Sequence, residues 1–307
     1  NHGQTITLTE FNSPDARAWV TYYDGRPGQV ADAALVAENV GWSNQCIGVG
    51  VAYVILKLKW DPDTLPAIPS FFFENEGGKF YDRSKDATAG GSGSHRLKDP
   101  STWELSTNPE VVLDHYKLGK WLDEGAAEPV FGIGLPPQDV NFERFVAQAN
   151  LCDEIVDGQK RYEANGFLFS DSTHKDTMLD LCRAMNARPA DFGGRVAEIS
   201  GEARTPVLVL DDADLMEGSR RNYAPKVTRA DLVQNVRGTY LEAASNYNPT
   251  DYPVVGDPDW IIEDGGAIEA KVVNFEMETS VVRAQRLALL YARRKRRQAA
   301  ITNVWGL

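Results

Sequence analysis

No run of about 18 apolar residues occurs in this chain, so no segment is long enough to cross a bilayer as a helix. Cysteine is scarce. Cys46, Cys152 and Cys182 are far apart, odd in number and without a CxxC pair, which argues against a disulfide framework and against a thiolate metal site. Cys152 and Cys182 fall at apolar positions of helical patterns, where cysteine acts as a small hydrophobe. The four histidines, His2, His95, His115 and His174, are scattered, with no HExxH or other paired ligand spacing. Positive charge is in deficit: the net charge is −12 at pH 7, which argues against a protein whose main task is gripping phosphate. There is no GxxxxGK[ST] loop. In FGIGLPP, Gly132 and Gly134 are followed by Pro136 and Pro137, where a phosphate site needs the free amides of a helix start. Neither GxSxG nor a cysteine-nucleophile context is present.

The chain begins at Asn1 with no secretory pattern and stops in ITNVWGL, which reads like the opening of a strand. An excerpt of a longer polypeptide is the expectation. Its 307 residues suffice for two or three packed units at roughly 100–200 residues each.

What is present begins as β. In AYVILKLKW (52–60), Val54, Leu56, Leu58 and Trp60 alternate with Ile55, Lys57 and Lys59, the period of a half-buried strand. The proline-rich DPDTLPAIP ends it. SFFFENEGGKFYD (70–82) suggests two strands around a Glu-Gly-Gly turn, and DATAGGSGSH (86–95) has the composition of a mobile loop tip.

The middle is helical with short strands. Asn108 before Pro109 predicts a capped helix through about Trp121. His115, beside Asp114 on that helix, is expected to be solvated or capping. Asp139 is the expected cap of a second helix carrying Phe142, Phe145, Val146, Ala149 and Cys152 at 3–4 spacing. A third begins at Thr173 with Asp176 three residues on, a capping-box pattern, and shows Met178, Leu181, Cys182 and Met185 on one face. RYEANGFLF (161–169) reads as a strand and ADFGGRVAEIS (190–200) as a hairpin turning at Gly193-Gly194.

Three further strands are expected in TPVLVL (205–210), LVQNVRGTYLEA (232–243) and AIEAKVVNFEM (267–277). A last helix starts near Ser280, with Val281, Ala284, Leu287, Ala288 and Tyr291 on one face. It ends in five consecutive basic residues, Arg293 to Arg297. Consecutive helical residues advance by about 100° and so circle the axis instead of forming a phosphate-tracking stripe. The end of a helix also favours positive charge. The run therefore reads first as a solvated helix end, with a contact to an acidic neighbour or to nucleic acid as the alternative. The acidic clusters Asp211, Asp212, Asp214 and Asp257, Asp259, Glu263, Asp264 lack the regular oxygen spacing of a calcium loop and suit turn and cap roles. Glu104 and Asp139 have no special claim as a carboxylate pair. No catalytic, cofactor-binding or metal-binding residue is assigned, and no cofactor is expected.

Three ordered stretches do resemble a known family. They are GVAYVILKLKWDPD (50–63); WELSTNPEVVLDHY (103–116) with FERFVAQANLCDE (142–154) and RYEANGFL (161–168); and RADLVQNVRGTYLEAASNYNPTDYPVV (229–255) with EDGG (263–266) and SVVRAQRLALLYARR (280–294). In that order, across about residues 45–305, the chain resembles the central tail-tip hub, or tail host-specificity protein, of long-tailed bacteriophages. That family is related in fold to the baseplate hubs of contractile tails and to the hub of gene transfer agents.

The resemblance implies an α+β, β-rich fold in which two similar β-barrel hub domains flank an α/β portion. On this sequence that gives a first β-domain at 1–98, an α/β middle at 99–203 and a second β-barrel domain at 204–307, with its helix at about 280–297. It implies a homotrimer whose six barrels dock under a six-fold tail tube while the three-fold end continues into a fibre or spike. The implied function is structural, at the virion tail tip, with no enzymatic activity in this region. The implied partners are a distal tail protein or tube ring, the tape-measure protein, the tip fibre, and DNA only in transit. The glycine-serine loop at 89–95 and the polar N-terminal segment have no counterpart in the pattern. A ring buries apolar surface between chains, so Phe71, Phe72, Phe73, Tyr252, Trp260, Arg293, Arg294 and Arg297 are candidate inter-subunit contacts; packing inside their own domain is the alternative for the aromatic residues. Two other classes remain open: a tail-associated peptidoglycan hydrolase, and a carbohydrate- or receptor-binding tip module.

Overall fold

The computed structural model describes residues 2–9, 15–202, 209, 211–218, 222–224, 226, 228–297 and 300–302. Among the described residues the fold is mixed, with six α-helices and small sheets of two or three strands, none closed into a barrel. The chain divides into two compact units, Asn1–Glu76 and Gly77–Leu307.

The first unit is built on an antiparallel sheet, β1 (Thr5–Thr7), β2 (Ala18–Tyr23) and β3 (Tyr53–Leu58), with β2 in the centre. The alternation read in 52–60 yields β3, but the strand stops at Leu58 and leaves Trp60 exposed. Ala18, Thr21 and Tyr23 of the central strand are buried, Thr21 and Tyr23 on one face and Ala18 on the other. Tyr23 stacks on Tyr53 with ring centres 4.8 Å apart and donates its hydroxyl to Asp32 at 2.7 Å. Asp32 in turn caps the short helix α1 (Ala33–Ala37) by accepting the Leu35 N–H. Of the two strands expected in 70–82, only a short one at Lys79–Phe80 forms, and its partner is Glu104–Leu105 rather than the other half of the segment. Phe71–Phe73 lie in no strand, and prolines at 62, 66 and 69 break the approach by removing backbone donors.

In the second unit β4 (Lys79–Phe80) pairs with β5 (Glu104–Leu105). The loop between them, expected to be mobile, is tied down. Tyr81 donates to Asp86 at 2.7 Å, Asp86 accepts from Thr88 and Arg96, and Ser92 N–H reaches Ser84 O. Gly91 is required there: a Cβ would sit 2.2 Å from the Ser84 carbonyl oxygen. The glycines that suggested mobility serve close packing.

Helix α2 (Pro109–Leu118) starts as expected, with Asn108 accepting the N–H groups of Glu110 and Val111 and Pro109 in the first position. It ends earlier than expected, at Gly119, whose φ of 86° favours glycine. All ten of its residues are buried. Helix α3 (Phe142–Asp153) is capped by Asn141 rather than Asp139, which belongs to the preceding 3-10 turn. The hairpin β6 (Ile155–Val156) and β7 (Gln159–Lys160) follows.

The strand read in 161–169 is absent because its amides go to three separate segments. Tyr162 donates to Cys152 O, Ala164 to Thr107 O and Asn165 to Met277 O, so no ladder forms. Helix α4 (His174–Ala184) has the Thr173–Asp176 cap read from its sequence. The hairpin of β8 (Arg188–Asp191) and β9 (Val196–Ile199) turns at Gly193 and Gly194 as expected.

TPVLVL lies outside the described residues except for Val209. Beyond it come β10 (Asn222–Ala224), β11 (Asn235–Arg237), β12 (Thr239–Glu242), β13 (Asn248–Asp251), β14 (Val255–Gly256), helix α5 (Pro258–Glu263), β15 (Lys271–Val272), helix α6 (Val281–Lys295) and β16 (Ala300–Thr302). The single strand expected in 232–243 is two, parted at Gly238, where a Cβ would lie 2.0 Å from Val273 O. β11 sits between antiparallel β14 and parallel β15, β12 pairs with β13, and β10 pairs with β16. One hydrophobic core joins Leu113 of α2, Cys152 of α3, and Leu181 and Cys182 of α4 to Val236, Phe275, Leu287 and Ala288. The helical middle and the β-rich last third are thus packed together.

Candidate functional site

Helix α2 concentrates the chemistry of the second unit. Glu110, Asp114 and Lys117 recur at i, i+4 and i+7 and so share one face; each is 0% exposed. Lys117 Nζ lies 2.7 Å from Glu198 Oε2 on β9 and 3.9 Å from Glu110 Oε1. Burial alone would strip the lysine of its proton, but Glu110 and Glu198 outweigh that and hold its pKa at about 12. The Glu110 carboxyl is pushed well above the usual carboxylate range, first by burial and then by the charge of Glu198. Both Glu110 oxygens and Glu198 Oε1 lack a hydrogen-bond donor.

One turn along, Arg83 enters from the loop after β4. Its guanidinium donates to Asp114 Oδ1 at 2.9 Å and to the Pro137 and Val140 carbonyls at 3.2 Å, and lies 5.2 Å from the Phe145 ring centre. Burial raises the Asp114 pKa against the pull of Arg83.

His115 is 3% exposed among Phe80, Tyr81 and Trp103 instead of being solvated. Its Nδ1 accepts the Tyr81 N–H at 3.0 Å, which leaves the ring proton on Nε2. Burial lowers its pKa to about 3. A second buried ion cluster fixes α6. Arg283 Nε lies 3.0 Å from each Glu278 oxygen, its Nη1 pairs with Glu163, and Arg286 donates to the Arg161 carbonyl at 2.7 Å.

The residues expected at chain–chain contacts fall into different settings. Phe72 and Phe73 are 59% and 53% exposed, and the rings of Phe71 and Phe73 stack with centres 6.4 Å apart. Tyr252 is 2% exposed and donates to Val273 O, so its ring packs in the core of its own chain. Trp260 is half-buried beneath the Arg296 guanidinium.

The basic run is not uniformly solvated. Arg293 and Arg297 are exposed, but Arg294 donates to Asn186 O and Oδ1, and Arg296 pairs with Asp264 at 2.7 Å and Glu263 at 2.6 Å. That uses two members of the second acidic cluster. Its Asp257 caps α5, and in the first cluster Asp211 and Asp214 form a capping box. Among the described residues no three His, Cys, Asp or Glu side chains converge as a metal site.

The α2 cluster is equipped to hold a proton or a fixed charge pattern away from water. A cavity of about 40 Å³ lies elsewhere, against α4, lined by Asp180, Arg183 and residues 274–278. The sequence signal for the cluster was the i, i+4, i+7 spacing of charges in a helix whose remaining faces, filled by Val111, Val112, Leu113 and Leu118, are apolar. Nothing in the sequence pointed to Glu198 or Arg83 as their partners, because those pairings span 81 and 31 positions. No protein-family model and no curated protein matches the chain.

Proposed function

We propose that this chain is a structural virion protein, a homotrimeric tail-tip hub that joins a six-fold tail tube to a three-fold tip and forms part of the channel for genome delivery. The ordered resemblance across residues 45–305 supplies the reading. In it, the β1–β2–β3 sheet and the small sheets of the last third are parts of two sibling barrel modules. The observation that carries it is a division of side chains by position. One cluster of paired ionisable groups, Glu110, Lys117, Glu198, Arg83 and Asp114, is sealed in the core, while other close pairs such as Lys85–Glu104 lie at the surface. Large apolar groups stand at the surface: Phe72 and Phe73 in the first unit, Phe167 at 73% and Phe169 at 62% exposure in the second. Enzymes keep paired ionisable groups where substrate reaches them, whereas clustered exposed aromatics mark surfaces that a partner covers.

The tail tube ring, the tape-measure protein and the tip fibre are the partners in this reading, and DNA passes without lasting contact. An acidic lumen suppresses phosphate binding, consistent with the net charge of −12. Negative-stain imaging tests the reading: a three-fold ring with a central opening is expected, and isolated single particles without symmetry would count against it. A cell-wall zymogram separates the hydrolase alternative, for which a clearing zone lost on mutation of one acid is the expected sign.

A further inference from the structure

Five charged side chains meet around α2, and their charges do not cancel. Arg83 and Lys117 bring two positive charges; Glu110, Asp114 and Glu198 bring three negative ones when all are ionised. All five are at least 98% buried. An uncompensated charge at such a position is strongly disfavoured, and the group takes up a proton instead. Asp114 has its own guanidinium. Glu110 and Glu198 compete for a single ammonium, and Glu198 holds it at 2.7 Å while Glu110 stands off at 3.9 Å. Glu110 is also the carboxyl with both oxygens unpartnered, and Glu198 has one free oxygen to receive a hydrogen bond from it.

We propose that Glu110 and Glu198 share one proton across the Lys117 ammonium, forming a pH-sensitive latch that keeps α2 in the core and releases it when the proton is lost. Every element packed on α2 contributes to what Glu110 meets. α2 itself brings Asp114 and Lys117, β9 brings Glu198, α3 brings Cys152, α4 brings Cys182, and the loop after β4 brings Arg83 against Asp114. Both thiols are held protonated, first by burial and then by the same carboxylates, so neither adds a charge at neutral pH. No group in reach neutralises a second carboxylate, and the proton therefore leaves only if α2 gains access to water. The folded state binds one proton more than the unfolded state above the ordinary glutamate range. Stability conferred at this site therefore falls as pH rises through that window and levels off once Glu110 ionises.

The test combines infrared spectroscopy with unfolding at several pH values on the wild-type chain and on Glu110→Gln, which keeps the shape and a donor to Glu198 but cannot ionise. A protonated-acid carbonyl band is expected in the wild type at neutral pH and is lost in the variant. The ratio of the wild-type unfolding constant to that of E110Q is expected to climb about tenfold per pH unit above the carboxylate range. A wild type without the band, a band retained in E110Q, or a ratio flat with pH overturns the latch. Should E110Q not fold, the wild type decides alone. The band is expected to vanish on alkaline titration together with amide-exchange protection of α2, and separation of those two events overturns the proposal.

Discussion

His115 and Arg83 show what burial does to an ionisable side chain when its partners differ. His115 has only the Tyr81 N–H to accept and no carboxylate paired with it, so burial, helped by the charge of Lys120, keeps it neutral, with its pKa at about 3 against an ordinary value near 6.5. The unfolded chain binds a proton there that the folded chain refuses. Stability from this residue is thus complete above about pH 6.5 and falls by about 1.4 kcal/mol per pH unit on acidification toward pH 3. The His115 ring resonances are predicted to stay constant between pH 8 and 5 in an NMR titration; a midpoint inside that range would contradict the burial account. Arg83 makes the opposite case, because it is charged and both its terminal nitrogens are engaged, one by Asp114. Arg83→Met strands Asp114 in the core and is expected to destabilise by about 3–5 kcal/mol. The double variant R83M/D114L is expected to recover most of that in denaturant melts, and additive losses would mean that the pair is not coupled.

Among the elements, the helices were the most legible in the sequence because their signals are local. Asn108-Pro109, Thr173 with Asp176, and Ser280 each mark a helix start within a few residues, and the apolar spacing of α3, α4 and α6 selects the buried face. The strands were less legible. A β-strand needs a partner that local sequence does not name, so RYEANGFLF disperses its amides among three segments and 232–243 breaks where Gly238 meets the Val273 carbonyl. The partners in the ion clusters were invisible for the same reason: the charge spacing on α2 was there to read, but Lys117 finds Glu198 across 81 positions.

The end of α6 lies between these cases. Its five basic residues read as one feature, yet their directions around the axis give them different neighbours. Arg296→Ala is predicted to cost about 1–2 kcal/mol, since it removes charge-assisted bonds to Asp264 and Glu263 and cover for Trp260. Arg297→Ala, whose guanidinium has no partner among the described residues, is expected to stay within about 0.5 kcal/mol of wild type. Thermal melts of the two variants check the difference, and equal losses would contradict the assignment of contacts.

At the scale of the molecule, the second unit is one packed body. α2, α3 and α4 share a core with α6 and β11, and Arg283 and Arg286 bind α6 to residues 159–163. Its interior holds paired charges, Arg83 with Asp114, Lys117 with Glu198 and Arg283 with Glu278, which favours a fixed shape over a chemically open one. Exposed aromatics on such a body have a use when copies or partners cover them, and that is the central claim about this chain. It is tested most directly by light scattering of the purified chain across a range of concentrations. A mass three times 33.9 kDa that persists on dilution is the predicted result. A mass of 33.9 kDa at every concentration would contradict it.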